Sequence, residues 1–351
     1  MKTFAILFEP ATYTTDRNRA VYDPLGVDYE YISGTSLAGD DADKVAQPLS
    51  GLCFKALVRL LWQRLKEHDT IIINGYNHRY FVVSFLLNLF WGRRIGIDSD
   101  TPLSIPQNRL KRWLKGLYLN FIFRNRHVYG LAGGTKSHKE LFRHYGMAEE
   151  RIFLMPMMVN NERFYHRKED TVKHDFTFLY VGRIVECKNI DTLLKAFAHV
   201  FGGNEKVRLN IVGDGELLPA FREQYKNSKN ICFQGKMFGE ELTAQYHEAD
   251  VFVLPSSYEP WGLVVNEAMC ASLPVIVSDQ VGAAFDMVEG QDTGCVFRYD
   301  DVEELGRCML RLYEDSEYWK RCSDNVYHRM HDYWNYTLYR ECLEKFINEK
   351  S

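Results

Sequence analysis

Short apolar runs alternate along this chain with longer segments whose apolar positions recur every three or four residues. In the N-terminal half the short runs predict strands at residues 3–8, 27–32, 70–73, 94–97, 128–132 and 151–155. The longer segments predict helices at residues 54–67, 79–90, 107–123 and 136–145. Strands that alternate with helices in this way indicate a parallel sheet with helices on both faces.

A polar segment without periodicity, residues 157–175, interrupts the pattern and is interpreted as an interdomain linker. A second series follows, with strands at 176–181, 207–212, 230–234, 250–255 and 274–278 and helices at 190–201, 216–225, 240–249, 262–271 and 284–289. Three more helical stretches follow Asp300. A chain of 351 residues usually forms more than one core. We therefore expect an N-terminal domain over 1–165 and a C-terminal domain over 172–333, with residues 334–351 returning to the first.

Composition narrows the classes of function. The net charge of −4 and a charged fraction of 26% argue against a general nucleic-acid binder. The eight cysteines include no C-x-x-C pair, so a zinc site is not expected, and free thiols without a secretory signal indicate a cytoplasmic protein. No apolar segment reaches the roughly twenty residues of a membrane span, and residues 80–92 are expected to form a buried helix.

Parallel sheets bind ligands at the carboxyl ends of their strands, so the loops there carry the candidate chemistry. The loop after strand 176–181 reads GRIVECKN, and it places Arg183 and Lys188 beside a helix N-terminus after the turn at Gly182. Two cations and free amides favour an anion, although solvated surface cations remain an alternative. The next strand ends in GDGE, another tight loop that begins at Gly213.

Two glutamates occupy the apolar stretch YEPWGLVVNEAM of the C-terminal half. Glu259 falls in the loop after strand 250–255, and Glu267 falls in the second turn of the next helix. The amides of Gly262, Leu263 and Val264 at that helix start suit a phosphate. A carboxylate repels phosphate but accepts hydrogen bonds from hydroxyls, so one ligand with anionic and hydroxyl groups is expected. A sugar nucleotide has both.

The stretch EPWGLVVNE is similar to the E-x7-E motif of the retaining family-4 glycosyltransferases, which have the GT-B fold. YVGRIVECKNID resembles their donor-phosphate segment, and GDGE, FQGKM and GAAFDMVEGQDTGCVF follow in the family's order. The resemblance covers residues 176–312 and implies an α/β protein of two doubly wound Rossmann-like domains with a cleft between them.

The resemblance also implies roles for single residues. Arg183 and Lys188 would neutralise the donor diphosphate, Glu259 would bind hydroxyls of the transferred sugar, and Glu267 would bind the nucleotide ribose. The remaining donor-binding residues that it implies are Gly182, Gly213, Gly235, Lys236, Met237, Trp261, Gly262, Leu263 and Val264. The resemblance implies no metal ion and no cofactor beyond the nucleotide sugar itself.

The resemblance places the acceptor on the N-terminal domain, with Glu9, Asp98 and Asp100 on the acceptor side. Many relatives have a glycine-rich loop after the first strand, whereas this chain has FEPATYTTDRNRA, so that part of the site is built differently. His78 is either a sugar contact or proton carrier, or a structural histidine at a helix start. The sequence Asp98-Ser99-Asp100 also resembles the metal motif of the other glycosyltransferase fold, which the remaining motifs disfavour.

Residues 108–126, NRLKRWLKGLYLNFIFRNR, are basic and amphipathic. They suit an anionic membrane surface or, alternatively, a core-facing helix with a solvated basic side.

The combined expectation is a metal-independent, retaining hexosyltransferase in the cytoplasm or at the inner face of the cell membrane. A UDP-sugar is the favoured donor and a GDP-sugar the next. The expected acceptor is a glycan or lipid-linked glycan of surface polysaccharide biosynthesis. Two alternatives stay open: a sugar-nucleotide epimerase of the same architecture and a non-catalytic nucleotide-sugar-binding subunit.

Overall fold

The structure is a computed structural model, and it describes residues 1–36, 45–167 and 175–349. The chain divides into two compact units. The first contains Met1–Met158 and the C-terminal Tyr336–Ser351, and the second contains Val159–Asn335. The second unit begins before the predicted limit at 165, because the Asn161 side chain donates hydrogen bonds to the carbonyls of Met330 and Trp334 at 2.7 and 3.1 Å.

The first unit is built on a parallel sheet with strand order β2-β1-β3-β4-β5-β6. Its strands are β1 (Thr3–Leu7), β2 (Asp28–Tyr31), β3 (Thr70–Asn74), β4 (Arg94–Ser99), β5 (Val128–Ala132) and β6 (Ile152–Leu154). Its helices are α1 (Thr12–Arg17), α2 (Asp23–Leu25), α3 (Phe54–Glu67), α4 (Arg79–Trp91), α5 (Arg109–Phe123), α6 (Ser137–His144) and, at the C-terminus, α15 (Tyr336–Asn348). The central strands are buried along their length because aliphatic side chains on both faces pack against helices.

The second unit repeats the plan with strand order β12-β11-β10-β7-β8-β9, again parallel. Its strands are β7 (Phe176–Val181), β8 (Val207–Val212), β9 (Ile231–Gly235), β10 (Val251–Leu254), β11 (Val275–Ser278) and β12 (Gly294–Phe297). Its helices are α7 (Asn161–Phe164), α8 (Ile190–Phe201), α9 (Leu218–Gln224), α10 (Gly239–Glu248), α11 (Leu263–Cys270), α12 (Ala284–Met287), α13 (Val302–Glu314) and α14 (Ser316–His328). The predicted α/β class with two Rossmann-like sheets is confirmed.

Both sheets have a topological switch point, where consecutive strands leave in opposite directions. In the first sheet the switch lies between β1 and β3, and in the second it lies between β7 and β10. Loops at such a point diverge and leave a crevice at the carboxyl ends of the strands, where open α/β sheets bind ligands. The switch point of each unit is therefore the place to look for its site.

Several local predictions are wrong. The first loop, FEPATYTTDRNRA, is largely helical, because α1 begins at Thr12 and continues through a π-helical turn into α2. The strand β12 was missed, since its sequence GCVF carries only a short apolar pair. The helix at 80–92 is not buried all round, because one of its faces is exposed. The predicted linker, residues 157–175, contains the short helix α7, and its residues 168–174 lie outside the described residues.

All eight cysteines are free thiols. Among the described residues, no helix has both the length and the apolar character that crossing a membrane requires.

Candidate functional site

The switch point of the second sheet brings together the loops that follow β7 and β10. In the first loop, Lys188 closes a 3₁₀ turn over Glu186–Lys188, and Asn189 follows in a left-handed conformation with φ of 52°. The Asn189 amide donates to the carbonyls of Pro255 and Tyr299 at 3.1 and 2.7 Å, which anchors this loop to β10 and to the segment after β12.

Glu259 is held from the other side by backbone hydrogen bonds. Its amide donates to the Gln280 carbonyl at 3.2 Å, and its carbonyl accepts from the Gly282 amide at 3.0 Å. The Ser257 amide donates to the Cys187 carbonyl at 2.9 Å and joins the two loops directly. These contacts fix the backbone on both sides of Lys188 and Glu259.

The Lys188 ammonium and the Glu259 carboxylate form an ion pair across the two loops. Their side chains are only 14% and 13% exposed, so water screens this pair less than it screens a surface pair. The sequence analysis assigned Lys188 to the donor diphosphate and Glu259 to the hydroxyls of the transferred sugar. The structure brings these two side chains into contact. Arg183, on the same loop as Lys188, is exposed, and its carbonyl accepts a hydrogen bond from the Tyr180 hydroxyl at 2.8 Å.

The helix α11 starts beside this pair. Gly262 precedes it with φ of 94°, a conformation that favours glycine, and no side chain caps the helix. The amides of the first turn, which include those of Leu263 and Val264, have no intrahelical acceptor. The Trp261 side chain points into the core, where it stacks on Trp334 with 5.6 Å between ring centroids. Trp261 therefore offers a ligand its backbone rather than its ring.

Glycines end the three neighbouring strands β7, β8 and β9. Gly182, Gly213 and Gly235 all have positive φ, and the Gly213 amide donates to the Gly235 carbonyl at 2.8 Å. The backbones approach closely, because a Cβ built on Gly213 would lie 1.8 Å from the Gly182 carbonyl oxygen. Farther out, the ammonium of Lys236 lies 4.5 Å from the Phe238 ring centroid, and Met237 is half-buried.

Glu267 lies on α11 and accepts a hydrogen bond from the Tyr246 hydroxyl at 2.7 Å. Burial raises the pKa of Glu267 above its ordinary value of 4.5, while the Tyr246 hydrogen bond and the charge of Arg163 act in the opposite direction. Tyr246 is fully buried on α10 and packs edge-on against Phe164 at 5.7 Å. The sequence analysis missed Tyr246, because a buried aromatic residue on a helix carries no signal of a polar role.

The N-terminal candidates cluster at the switch point of the first sheet. The Asn74 amide donates to the Asp98 carboxylate at 2.6 Å, and its oxygen accepts from the Phe8 amide at 3.2 Å, next to Glu9. Asn74 therefore links the ends of β1, β3 and β4. Glu9 and Asp100 are half-buried, and both act electrostatically on the Tyr13 hydroxyl.

His78 has both ring nitrogens bonded to the backbone. Its Nδ1 accepts from the Phe81 amide at 3.3 Å as the N-cap of α4, so its Nε2 donates to the Asn74 carbonyl at 2.6 Å. Burial also lowers the pKa of His78. These contacts favour the structural alternative for His78 over the proton carrier.

The Asp98 carboxylate is buried, and burial raises its pKa to about 6, an effect that the neighbouring Arg17 charge only partly offsets. Because the folded state holds this proton more tightly than the unfolded state does, stability is lost as pH rises through about 6. Asp98→Asn should therefore raise the free energy of unfolding at pH 8 by roughly 1–3 kcal/mol and leave it unchanged near pH 4. Urea denaturation at the two pH values measures both.

The matched control is Asp69→Asn in the same unit. Asp69 pairs with Arg93 at 3.4 Å, and its side chain is 47% exposed. Removing that exposed pair should lower stability slightly at pH 8. A loss of stability in Asp98→Asn at pH 8 would show instead that Arg17 requires the charged carboxylate.

Among the described residues, no group of three or more His, Cys, Asp or Glu side chains is arranged to hold a metal ion. In the part of the chain that the structure describes, Asp98 and Asp100 therefore have no third His, Cys, Asp or Glu placed to complete a metal site.

Comparisons with known proteins bear on the family of the second unit and on the fold of the whole chain. Residues 161–329, a little under half of the chain, match the sequence model of the family "Glycosyl transferases group 1". The chain is 26% identical over 216 residues to mannosylfructose-phosphate synthase of Agrobacterium fabrum, which covers 56% of this chain and 47% of that protein. It is 33% identical over 156 residues to alpha-monoglucosyldiacylglycerol synthase of Acholeplasma laidlawii, with 43% and 38% covered. The chain thus spans less than half the length of these relatives.

The fold is shared over the full length with solved structures. Anabaena HepE in complex with UDP superposes with a TM-score of 0.78, 16% identity and 99% of each chain covered. The same protein in complex with UDP-glucose gives a TM-score of 0.72 at 17% identity, again with 99% of each chain covered. Residues 161–329 therefore resemble a group 1 glycosyltransferase domain, and the chain has the GT-B fold of these solved structures.

Proposed function

We propose that this protein is a retaining, metal-independent hexosyltransferase of glycosyltransferase family 4, with Glu259 and Glu267 as its E-x7-E pair. Its donor is a nucleotide-diphosphate sugar, with UDP favoured and GDP next, and its acceptor is a glycan or lipid-linked glycan of surface polysaccharide biosynthesis. One observation carries the proposal: the Lys188–Glu259 ion pair lies at the switch point of the second sheet, beside the uncapped start of α11.

The ion pair gives a physical account of donor binding. A diphosphate carries more negative charge than one carboxylate, and it would meet Lys188, Arg183 and the α11 amides together. Lys188 then exchanges its partner from Glu259 to the phosphate. The carboxylate that is set free accepts hydrogen bonds from sugar hydroxyls, which are neutral donors and do not repel it. Donor binding thus completes the site on both sides of the bond that breaks.

Catalysis in this proposal rests on stabilising the leaving group. Negative charge grows on the diphosphate as its bond to the sugar breaks, and fixed cations and amides stabilise that charge more in the transition state than in the ground state. Glu259 holds the sugar in a reactive orientation. Retention of configuration follows if the acceptor hydroxyl attacks from the face that the diphosphate leaves.

The nucleotide ribose is assigned to Glu267, one of whose carboxylate oxygens is already bonded to Tyr246. Only the ionised carboxylate accepts from both ribose hydroxyls, so nucleotide affinity should fall on acidification. Because burial raises the pKa of Glu267, the midpoint should lie above 4.5. Calorimetric titration of nucleoside diphosphate between pH 4 and pH 8 measures this midpoint.

Two variants test whether Glu267 is the group that titrates in this measurement. Tyr246→Phe removes a hydrogen bond that lowers the pKa of Glu267, so the midpoint should move to higher pH. Glu267→Gln should weaken binding about tenfold at pH 8, the cost of one charged hydrogen bond, and should remove the acidic limb. An acidic limb that persists in Glu267→Gln would assign the titration to another group.

The test of the proposed function is nucleoside diphosphate release from UDP-, GDP-, ADP- and dTDP-sugars, with and without EDTA. Slow release from one donor that EDTA leaves unchanged supports a metal-independent transferase. The structures of HepE with UDP and with UDP-glucose support the order in which UDP comes first. Loss of release in EDTA would contradict metal independence and return attention to Asp98 and Asp100.

The same assay separates the alternatives. An epimerase would convert the donor alone into an epimer without releasing nucleotide. A binding subunit would bind one nucleotide tightly and release none with any glycan offered. The intact set of Arg183, Lys188, Glu259 and Glu267 supports the transferase, since each of these side chains has a use in transfer.

The acceptor is assigned to the first unit, beside Glu9, Asp98 and Asp100. Carboxylates suit the hydroxyls of a neutral glycan, and the stability cost inferred for the buried Asp98 is what a residue kept for a ligand would show. A lipid-linked acceptor places the enzyme in the cytoplasm, at the inner face of the cell membrane.

A further inference from the structure

The exposed apolar side chains of this protein are concentrated on one surface of the first unit. Within the described residues, every exposed Leu, Ile, Val and Trp lies between Trp62 and Leu117. The exposed apolar side chains elsewhere are single Met, Phe and Tyr residues. Single exposed apolar residues are ordinary, but a continuous apolar patch on a water-soluble surface indicates a contact site. We call the exposed faces of α3, α4 and α5 the outer patch.

The helix α5 is apolar on two opposite faces. Leu119, Ile122 and Phe123 pack into the core, whereas the opposite face exposes Leu110, Trp113, Leu114, Leu117 and Phe121. The spacing of this second set, at i, i+3, i+4, i+7 and i+11, forms one continuous stripe along the helix. The exposed fractions are 62% for Trp113 and 60% for Leu117, so more than half of each of these side chains is open to a partner.

The neighbouring helices continue the stripe. On α4, Leu86, Leu89 and Phe90 are exposed, and Phe90 reaches 81% exposure. Phe85 of α4 meets Phe121 of α5 edge-on at 5.8 Å, and Trp62 of α3 lies 6.4 Å from Phe90. The three helices therefore lie in contact with one another, and each exposes apolar side chains, among them Trp62 and Trp113. Tryptophan is enriched at membrane interfaces.

The charged side chains on the three helices of the outer patch are mostly positive. Helices α3, α4 and α5 carry nine Lys or Arg residues and a single Glu, in a chain whose net charge is −4. Arg109 and Lys111 are exposed beside the apolar stripe of α5. Cations that flank an apolar stripe with tryptophan complement an anionic lipid surface, where the apolar side chains enter the acyl boundary and the cations meet the headgroups.

We propose that the outer patch docks the first unit onto an anionic lipid bilayer, with the stripe of α5 inserted at the interface. This proposal does not depend on the transferase assignment, since it uses neither the donor site nor its chemistry. It adds the exposed faces of α3 and α4 to the basic stretch at 108–126 that the sequence indicated.

The test is cosedimentation of the full chain with vesicles of phosphatidylcholine alone or mixed with phosphatidylglycerol. The native protein should bind the mixed vesicles and be released by salt. Leu114→Gln/Leu117→Gln should weaken binding roughly tenfold or more, because two side chains leave the acyl boundary. The matched control, Leu114→Met/Leu117→Met, keeps size and apolar character and should bind as the native protein does. Both pairs are exposed, so thermal unfolding should be unchanged.

Variants that remove positive charge distinguish binding to anionic lipid headgroups from non-specific apolar adsorption. Arg109→Ala/Lys111→Ala should weaken binding about fivefold for each charge removed and reduce its salt dependence. Lys226→Ala/Lys229→Ala, which removes two exposed cations of the second unit, should leave binding unchanged.

Three results would overturn the proposal. The first is native protein that does not bind vesicles with phosphatidylglycerol. The second is a Leu114→Gln/Leu117→Gln variant that binds these vesicles as tightly as the native protein does. The third is a native protein that sediments as a dimer and a Leu114→Gln/Leu117→Gln variant that sediments as a monomer. A second copy of the chain would then cover the outer patch. Nucleoside diphosphate release from soluble donor should be equal in all these variants, so a failure here is distinct from failure of the transferase proposal.

Discussion

Glu259→Gln should lower the rate of sugar transfer by about 10²–10³-fold while nucleoside diphosphate still binds within about threefold of the native affinity. The substitution keeps the shape of the side chain and removes the charge that orients the sugar hydroxyls. Nucleotide binding rests on Lys188, Arg183 and the α11 amides, which remain. Transfer at saturating donor and calorimetric nucleotide binding measure the two effects separately.

Glu186→Gln is the matched control, because Glu186 lies on the same loop as Lys188 but is exposed. It should leave both transfer and nucleotide affinity unchanged. Glu259→Gln also deprives Lys188 of its ion-pair partner, so thermal unfolding must show that the variant is folded at the assay temperature. Full turnover in a folded Glu259→Gln protein would remove Glu259 from the site.

The ion pair also predicts how Lys188 responds to phosphate binding and how its substitution combines with that of Glu259. In the structure Lys188 forms an ion pair with Glu259, and both side chains are largely shielded from water. A cation held ready in this way loses less hydration when phosphate arrives than a free surface lysine does. The two residues therefore act as a unit, and the effects of substituting both should be far from additive.

Much of the fold follows from the sequence, because parallel strands buried on both faces leave short apolar runs that helices separate. The predicted limits of α3, β5, β7, α8 and β8 equal the observed ones. The strand β12 escaped prediction because its GCVF sequence is short, and α1 escaped because its TYTTDR sequence has no apolar period. Local patterns carry no information about packing partners that lie far away in the chain.

Prediction of the site was limited in the same way, by contacts between residues far apart in the chain. Motif order placed Lys188 and Glu259 on loops at the same edge of the sheet, and their contact agrees with that placement. Nothing in the sequence indicated that Tyr246 would hold Glu267, since this contact joins two helices separated by a strand. The outer face of α4 was also hidden, because an apolar helix with no polar side reads as a core helix.

Gly213→Ala should destabilise the second unit by more than about 3 kcal/mol or prevent its folding. The residue has φ of 143°, and an added Cβ would lie 1.8 Å from the carbonyl oxygen of Gly182, a backbone atom that no rotamer change moves. Relief would require the ends of β7 and β8 to separate. That movement would displace the loops of Arg183 and Lys188, so any folded fraction should bind nucleotide weakly.

Gly290→Ala isolates the steric part of this prediction. Gly290 also has a positive φ, of 68°, but an added Cβ meets nothing within 4 Å. Its substitution should cost only about 1 kcal/mol of backbone strain. Thermal unfolding of the two variants, followed by circular dichroism, should separate them by many degrees. Equal losses would mean that β7 and β8 tolerate separation, and the close approach of their glycines would then not be what holds the donor loops in place.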